Sequence, residues 1–279
     1  MIILPGRTEF IEKYYEAISE LMARRFAVGI LDWRGQGLSD RPLADPLRGH
    51  IASFSIYVED LNAILADAFA DLPGRRLLLC HSMGANIAAH ALSVGDLKPI
   101  GAIFTVPMLG VLTPGYPYLL ARALTFGACA IGLGKSYVPG GSGASILNES
   151  FATQLVTHDA VRFARAQALV AKEPRLALGS PTFAWLNAAF VSIAQLTRPG
   201  VPEAIRTPSL FLLAEEEAIT DNRPVEGFAR RMPRCRLVRL EARHELLMEK
   251  DVVRAAFWRE YDTFVADLLG RDNNGGVAS

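Results

Sequence analysis

The feature that most constrains this chain is a set of largely apolar runs of strand length, spaced by segments of helical period. A strand with one face in water alternates apolar and polar residues. Runs such as "FAVGILDW" (26–33), "RLLLC" (76–80) and "IGAIFTV" (100–106) do not, so both of their faces must be covered. Residues 2–4 are a shorter apolar run that ends at the turn "PGR". Between the runs, residues 10–24 set Phe10, Tyr14, Ile18 and Leu21 on one helical face, residues 57–72 form a second amphipathic helix stopped by Pro-Gly, and a third helix opens near Met83. Strand–helix alternation with short links predicts an α/β architecture, a parallel sheet with helices on both faces. From Met108 to Arg206 the rhythm breaks into apolar helical pieces, "PGGSG" and many aromatics, which read as an inserted helical cap. The sheet resumes at "PSLFLLA" (208–214). A helix near Val225–Met232, the strand "RLVRL" (236–240) and a closing helix follow. The expected organisation is a core of residues 1–107 and 207–270, a cap of 108–206 and a disordered tail of 271–279.

Composition removes several function classes. The 29 basic and 29 acidic side chains balance, and no basic stripe appears, so nothing attracts a nucleic-acid backbone. Cys80, Cys129 and Cys235 are odd in number and far apart, which suits free thiols in a reducing compartment and points to a cytoplasmic protein. Met1 runs directly into "IILPG" without the basic region of a secretory signal. The uncharged stretch between Arg175 and Arg198 is long enough to span a bilayer, but Pro181, Asn187, Gln195 and the break at "GSP" make it a buried cap helix. Peripheral contact of the cap with a membrane surface stays open.

The run "LLLCHSMGANIAAHAL" (77–92) places Ser82 between a buried strand and an apolar helix. The pattern small-x-Ser-x-small recurs around Ser93 and Ser142, but Ser93 ends a helix and Ser142 lies in a glycine-rich loop. Ser82 alone meets the structural condition for a nucleophile on a strained strand-to-helix turn. There the N–H of Met83, at the helix N-terminus, points at the oxyanion of a tetrahedral intermediate.

A serine nucleophile needs a base. Of five histidines, His50 lies in an earlier loop, His90 further along the same helix and His158 in the cap, while His81 should project away from Ser82. His244, in "EARHELLME", follows the last strand and suits the chain order Ser, acid, His. The acid should follow "PSLFLLA", where Glu215, Glu216, Glu217 and Asp221 all compete. "GLGKS" (132–136) lacks the first glycine of a phosphate loop, and "HELLM" lacks the second histidine of a zinc helix. Neither metal nor cofactor is implied.

Taken together, "LPGRTEFIEKYYE", "LDWRGQGLSDRP", "CHSMGA", "LVTHDAVRFARAQ", "LALGSPTFAWL" and "ARHELLMEKD" resemble the lysophospholipase and monoacylglycerol-lipase branch of the α/β-hydrolase superfamily over nearly all of residues 2–268. The resemblance implies the α/β-hydrolase fold, with Ser82, Glu217 and His244 in the triad positions and Arg7 supplying the second oxyanion N–H. Asp221 is the alternative acid. It implies a hydrolase of lysophospholipid or monoacylglycerol. The rival readings are an esterase of short or unrelated esters and a non-catalytic ligand-binding protein on the same fold. The cap residues Leu119, Leu120, Leu124, Phe126, Phe183, Trp185 and Phe190 are candidates for an acyl pocket. Three features depart from the family pattern. Glutamates crowd the acid loop, Cys80 stands for the usual glycine, and the chain opens at what the family counts as its third strand, so two N-terminal strands of the family are expected to be absent. "FAVGILDW" is therefore expected at a sheet edge.

Overall fold

The computed structural model describes residues 1–72, 74–113 and 115–274, with side chains to Gly270. Its elements run β1 (Ile2–Leu4), α1 (Tyr15–Ala23), β2 (Gly29–Ile30), α2 (Phe54–Ala66), β3 (Leu77–His81), α3 (Met83–Ser93) and β4 (Gly101–Thr105). Then come α4 (Tyr118–Ala130), α5 (Ala160–Lys172), α6 (Phe183–Leu196) and α7 (Val201–Ala204), followed by β5 (Ser209–Ala214), α8 (Asn222–Arg231), β6 (Cys235–Leu240) and α9 (Asp251–Asn274). The sheet has order β2-β1-β3-β4-β5-β6, and every pair is parallel.

This is the covered sheet that the apolar runs demand. Ile2, Leu4, Leu78, Phe104, Phe211 and Leu213 pack on one face with α2, α3 and α8. Ile3, Leu79, Ile103, Leu210 and Leu212 pack on the other with α1 and α9. Alternate residues of each strand thus feed opposite cores. The second strand is shorter than its apolar run: of residues 26–33, Gly29 and Ile30 pair, because β1 offers three residues of ladder and the register sets Ile2 against Gly29 and Ile3 against Ile30. It does lie at the sheet edge. The first helical segment splits into a 3₁₀ turn over Ile11–Tyr14 and α1, and α2 starts at Phe54, where the Ser53 hydroxyl accepts from the N–H of Ser55. The tail expected over 271–279 is helical through Asn274, as α9 continues past Gly270. Residues 275–279 lie outside the described residues.

The segment between β4 and β5 is helical and is tied to the core by charge. From α5, Arg162 reaches Glu16 on α1 at 2.6 Å and Asp251 at the start of α9 at 2.7 Å. His158 bridges Glu249 at 2.8 Å and Glu216 at 3.1 Å. Phe10 of the core packs with Phe163, Val170 and Leu176 in a separate apolar cluster. "LVTHDAVRFARAQ" is thus a tether between cap and core. In "LALGSPTFAWL", a Cβ on Gly179 would meet the Ser142 carbonyl oxygen at 2.6 Å, so this close crossing needs glycine.

Candidate active site

In a parallel sheet the residues that follow each strand share one edge. Arg7 after β1, Ser82 after β3, Glu217 after β5 and His244 after β6 therefore converge. Ser82 has φ 49° and ψ −110°, a conformation that costs on the order of 1–3 kcal/mol for a residue with a side chain. Backbone bonds hold it there. Its N–H donates to Thr105 O at 3.0 Å, and its carbonyl accepts from Asn86 N at 3.2 Å and Met108 N at 3.0 Å. A Cβ on Gly84 would lie 2.2 Å from Leu4 O, so the small residue after the serine lets α3 start against β1. Cys80, buried in β3, tolerates the position where glycine is usual.

Ser82 Oγ lies 3.1 Å from His244 Nε2, and His244 Nδ1 lies 2.9 and 3.0 Å from the two Glu217 carboxylate oxygens. A carboxylate only accepts, so Nδ1 carries the proton and Nε2 presents its lone pair to the hydroxyl. Glu217 Oε1 also accepts from the N–H groups of Ile219 and Thr220 at 2.7 and 2.8 Å. Burial alone would raise this carboxyl; the imidazole and the two N–H groups outweigh it and hold the carboxyl below its ordinary value. Burial would likewise lower His244, but Glu217, Glu245 and Glu9 together carry it above its ordinary value.

The other acids of that loop are engaged elsewhere. Glu216 faces His158, and Glu215 is exposed, its N–H bonded to Leu240 O. Asp221 caps α8 by accepting from Arg223 N at 3.0 Å and pairs with the Arg223 guanidinium. As the first residue of α3, Met83 has no intrahelical acceptor for its N–H. The Arg7 N–H has none among the described residues. The turn around Arg7 is held by Trp33 Nε1 donating to Pro5 O at 2.8 Å, Gln36 Nε2 to Gly6 O at 2.7 Å, and Gly6 N to Glu9 at 2.6 Å.

Two groups of residues escape sequence reasoning. His81 does not project away: its ring sits edge-on to that of His244, centroids 4.9 Å apart, and its Nδ1 is 3.0 Å from Thr105 Oγ1. Burial pushes His81 down to about 4, so it is neutral at neutral pH. Beneath it, Lys13 pairs with Glu245 at 2.5 Å and with Glu9 at 3.3 Å, linking the turn that carries Arg7 to the loop that carries His244. The only hint in the sequence is that Lys13 and Glu9 lie one turn apart.

Above Ser82 opens a cavity of about 320 Å³, walled by Val111, Ile146, Val156, Leu178, Leu186 and Ile219. Of the acyl-pocket candidates, Trp185 lines it. Leu119, Leu120, Leu124 and Phe126 point to solvent instead, because α4 packs on the outer side of α6, and Phe190 is buried behind Tyr118. Among the described residues, no group of three or more His, Cys, Asp or Glu side chains could hold a metal ion.

A parallel sheet with a strained serine elbow and a Ser–His–Glu chain at its carboxyl edge defines an α/β hydrolase. Residues 1–251 match the family described as "Serine aminopeptidase, S33", and the chain belongs to that family. It is 32% identical to lysophospholipase L2 of Escherichia coli K12, over 98% of this chain and 81% of that one. It is also 32% identical to the probable lysophospholipase L2 of Haemophilus influenzae, over 95% and 83%. Among solved structures, a soluble variant of monoglyceride lipase from Saccharomyces cerevisiae, in complex with a substrate analog, superposes with a TM-score of 0.73 at 16% identity, covering 96% of this chain and 87% of that one. The monoacylglycerol lipase of Paleococcus ferrophilus gives 0.71 at 18%, covering 95% and 93%.

Proposed function

We propose that this protein is a serine hydrolase that cleaves the acyl ester of single-chain glycerolipids, lysophospholipid or monoacylglycerol, through an acyl-enzyme. The observation that carries the reading is the Ser82–His244–Glu217 hydrogen-bonded chain at the floor of an apolar cavity. Ser82 Oγ attacks the ester carbonyl while His244 Nε2 takes its proton. Glu217 fixes the imidazole tautomer and stabilises the imidazolium. The N–H groups of Met83 and Arg7 receive the oxyanion, each contributing on the order of 3 kcal/mol to the transition state. His244 returns the proton to the departing glycerol oxygen, and water cleaves the acyl-enzyme by the same relay. The curated relatives named as lysophospholipases support the ester class, and the apolar cavity wall supports an acyl chain as its occupant.

The outer face of the cap supports a lipid surface as the place where substrate is met. On and just after α4, Leu119, Phe126 and Ile131 are 73%, 69% and 74% exposed, with Arg122 beside them. Among the described residues, no helix is long and apolar enough to cross a membrane. A panel of esters varying in chain length and head group, assayed on purified protein, tests the reading. Hydrolysis of long-chain monoacylglycerol or lysophospholipid should exceed that of acetate esters, and a clear preference for acetates overturns the lipid assignment.

A further inference from the structure

Lys13, Arg162 and Arg254 pair with carboxylates, whereas the half-buried Arg7, at the cavity, does not. Lys13 sits between Glu9 and Glu245, Arg162 meets Glu16, Asp159 and Asp251, and Arg254 meets Glu20. Arg7 has no carboxylate within ion-pair distance among the described residues, although it lines the same cavity as Ser82 and His244. Its guanidinium lies over the Trp185 ring, 5.1 Å from the centroid, and Nη2 donates to Gly179 O at 2.5 Å. Nε is buried with no acceptor. The space it occupies is shaped for it: a Cβ on Gly49 would lie 2.3 Å from Nη2. Burial pushes the guanidinium down to about 10, which leaves it charged at neutral pH.

Holding the Gly179 carbonyl does not explain this arrangement. One neutral donor would serve that purpose without leaving a buried Nε unpaired. The two acids on the cavity wall do not answer it either, because Glu149 is exposed at the rim and Glu245 is turned to Lys13. A half-buried fork of donors at the substrate cavity, with its Nε unpaired, is a site that an anion would complete. Arg favours phosphate because its planar donors match two oxygens at once. The location fits a substrate group in the same cavity as the scissile ester, which Arg7 lines together with Ser82 and His244.

We propose that the Arg7 side chain binds the phosphate of a single-chain phospholipid, so that lysophospholipids are preferred over neutral monoacylglycerols. This rests on the lipid-ester reading above. The backbone N–H of Arg7 keeps its separate place at the oxyanion, while the side chain acts on the head group. A phosphate held equally in ground and transition states expresses itself chiefly in KM.

The test uses two soluble esters that differ only at the head group, 1-octanoylglycerol and 1-octanoyl-lysophosphatidylglycerol. Kinetics are read as the ratio of their kcat/KM values. The wild-type ratio should favour the phosphodiester by about tenfold or more, as a charge-assisted bidentate contact would give. Arg7→Met should remove most of that factor through KM, and Arg7→Lys, which keeps charge without the fork, should fall between. Raising the salt from about 0.05 M to about 0.5 M should shrink the wild-type ratio, a measurement that needs no variant. A wild-type ratio near one overturns the proposal and leaves the ester-hydrolase reading standing. So do Arg7 variants that slow both esters equally, the mark of a mere strut. If neither ester is cleaved while a fluorophosphonate still labels Ser82, the lipid reading itself fails and takes the proposal with it.

Discussion

Helix α6 buries Trp185, Ala188, Ala189, Phe190, Ser192, Ile193 and Leu196, whereas α4, stacked on its outer side, buries Thr125 alone of its 13 residues. The two helices read alike in sequence, both apolar and nearly uncharged. What separates them is layer. Helix α6 meets α3 directly, through Ser192 Oγ donating to Asn86 Oδ1 at 2.6 Å and lying 2.8 Å from His90 Nε2, while α4 packs on α6, Tyr118 edge-on to Phe190. Apolar content therefore reports a need for a non-aqueous neighbour, not that the neighbour is protein. The inner helix walls the cavity. The outer one presents its leucines and phenylalanine to whatever lies beyond.

That contrast can be broken or sharpened by graded experiments. The largest effects belong beneath the inner helix. Ser82→Ala should lower turnover by about 10⁶-fold and abolish fluorophosphonate labelling. Labelling that moves to Ser93 or Ser142 would place the nucleophile outside the elbow. Glu217→Gln should cost about 10⁴-fold in turnover with the fold intact, by leaving the wrong histidine tautomer. Asp221→Ala should cost about 1 kcal/mol of stability, through the lost α8 cap, and little rate. The reverse pattern would move the acid to Asp221.

Next come the two helices themselves. Phe190→Ala on α6 should destabilise the protein by about 3–5 kcal/mol in denaturant unfolding. Phe126→Ser on α4 should change stability by less than about 0.5 kcal/mol and yet weaken binding to phospholipid vesicles. Equal destabilisation by both would show that α4 is ordinary core and erase the distinction.

The smallest effect is on pH dependence. The base must be neutral to act, and His244 is held above its ordinary value, so the acidic limb of kcat/KM should lie above about pH 6.5. Removing the Glu245 charge withdraws one of the causes. Glu245→Gln should shift that limb to lower pH, and a shift to higher pH would mean that the buried carboxylates do not set the basicity of the relay.

Much of the site is legible without coordinates because its signals are local. Ser82 is marked by the strand before it and the helix after it, and His244 by its place after the last strand; both depend on neighbours within a few residues. The acid is different. Glu215, Glu216, Glu217 and Asp221 are chemically alike, and the resemblance to a family rather than the residues themselves singles out Glu217. Its side chain is 2% exposed and faces His244, while its neighbours cap a helix, face the cap or stand in solvent.

By itself the sequence determined the parallel sheet, the turn that carries Ser82 and the order serine, acid, histidine, because buried strands, helix faces and small residues at a tight turn impose constraints over short stretches of chain. Only the tertiary structure decided that His81 turns in against His244, that Lys13 joins Glu9 to Glu245, that Arg7 lies over Trp185 beside the cavity, and that α4 lies outside α6. Each of those depends on partners tens to hundreds of residues away. A side chain's hydrophobicity and charge state what it requires of its surroundings, but the packing of distant segments settles what it receives.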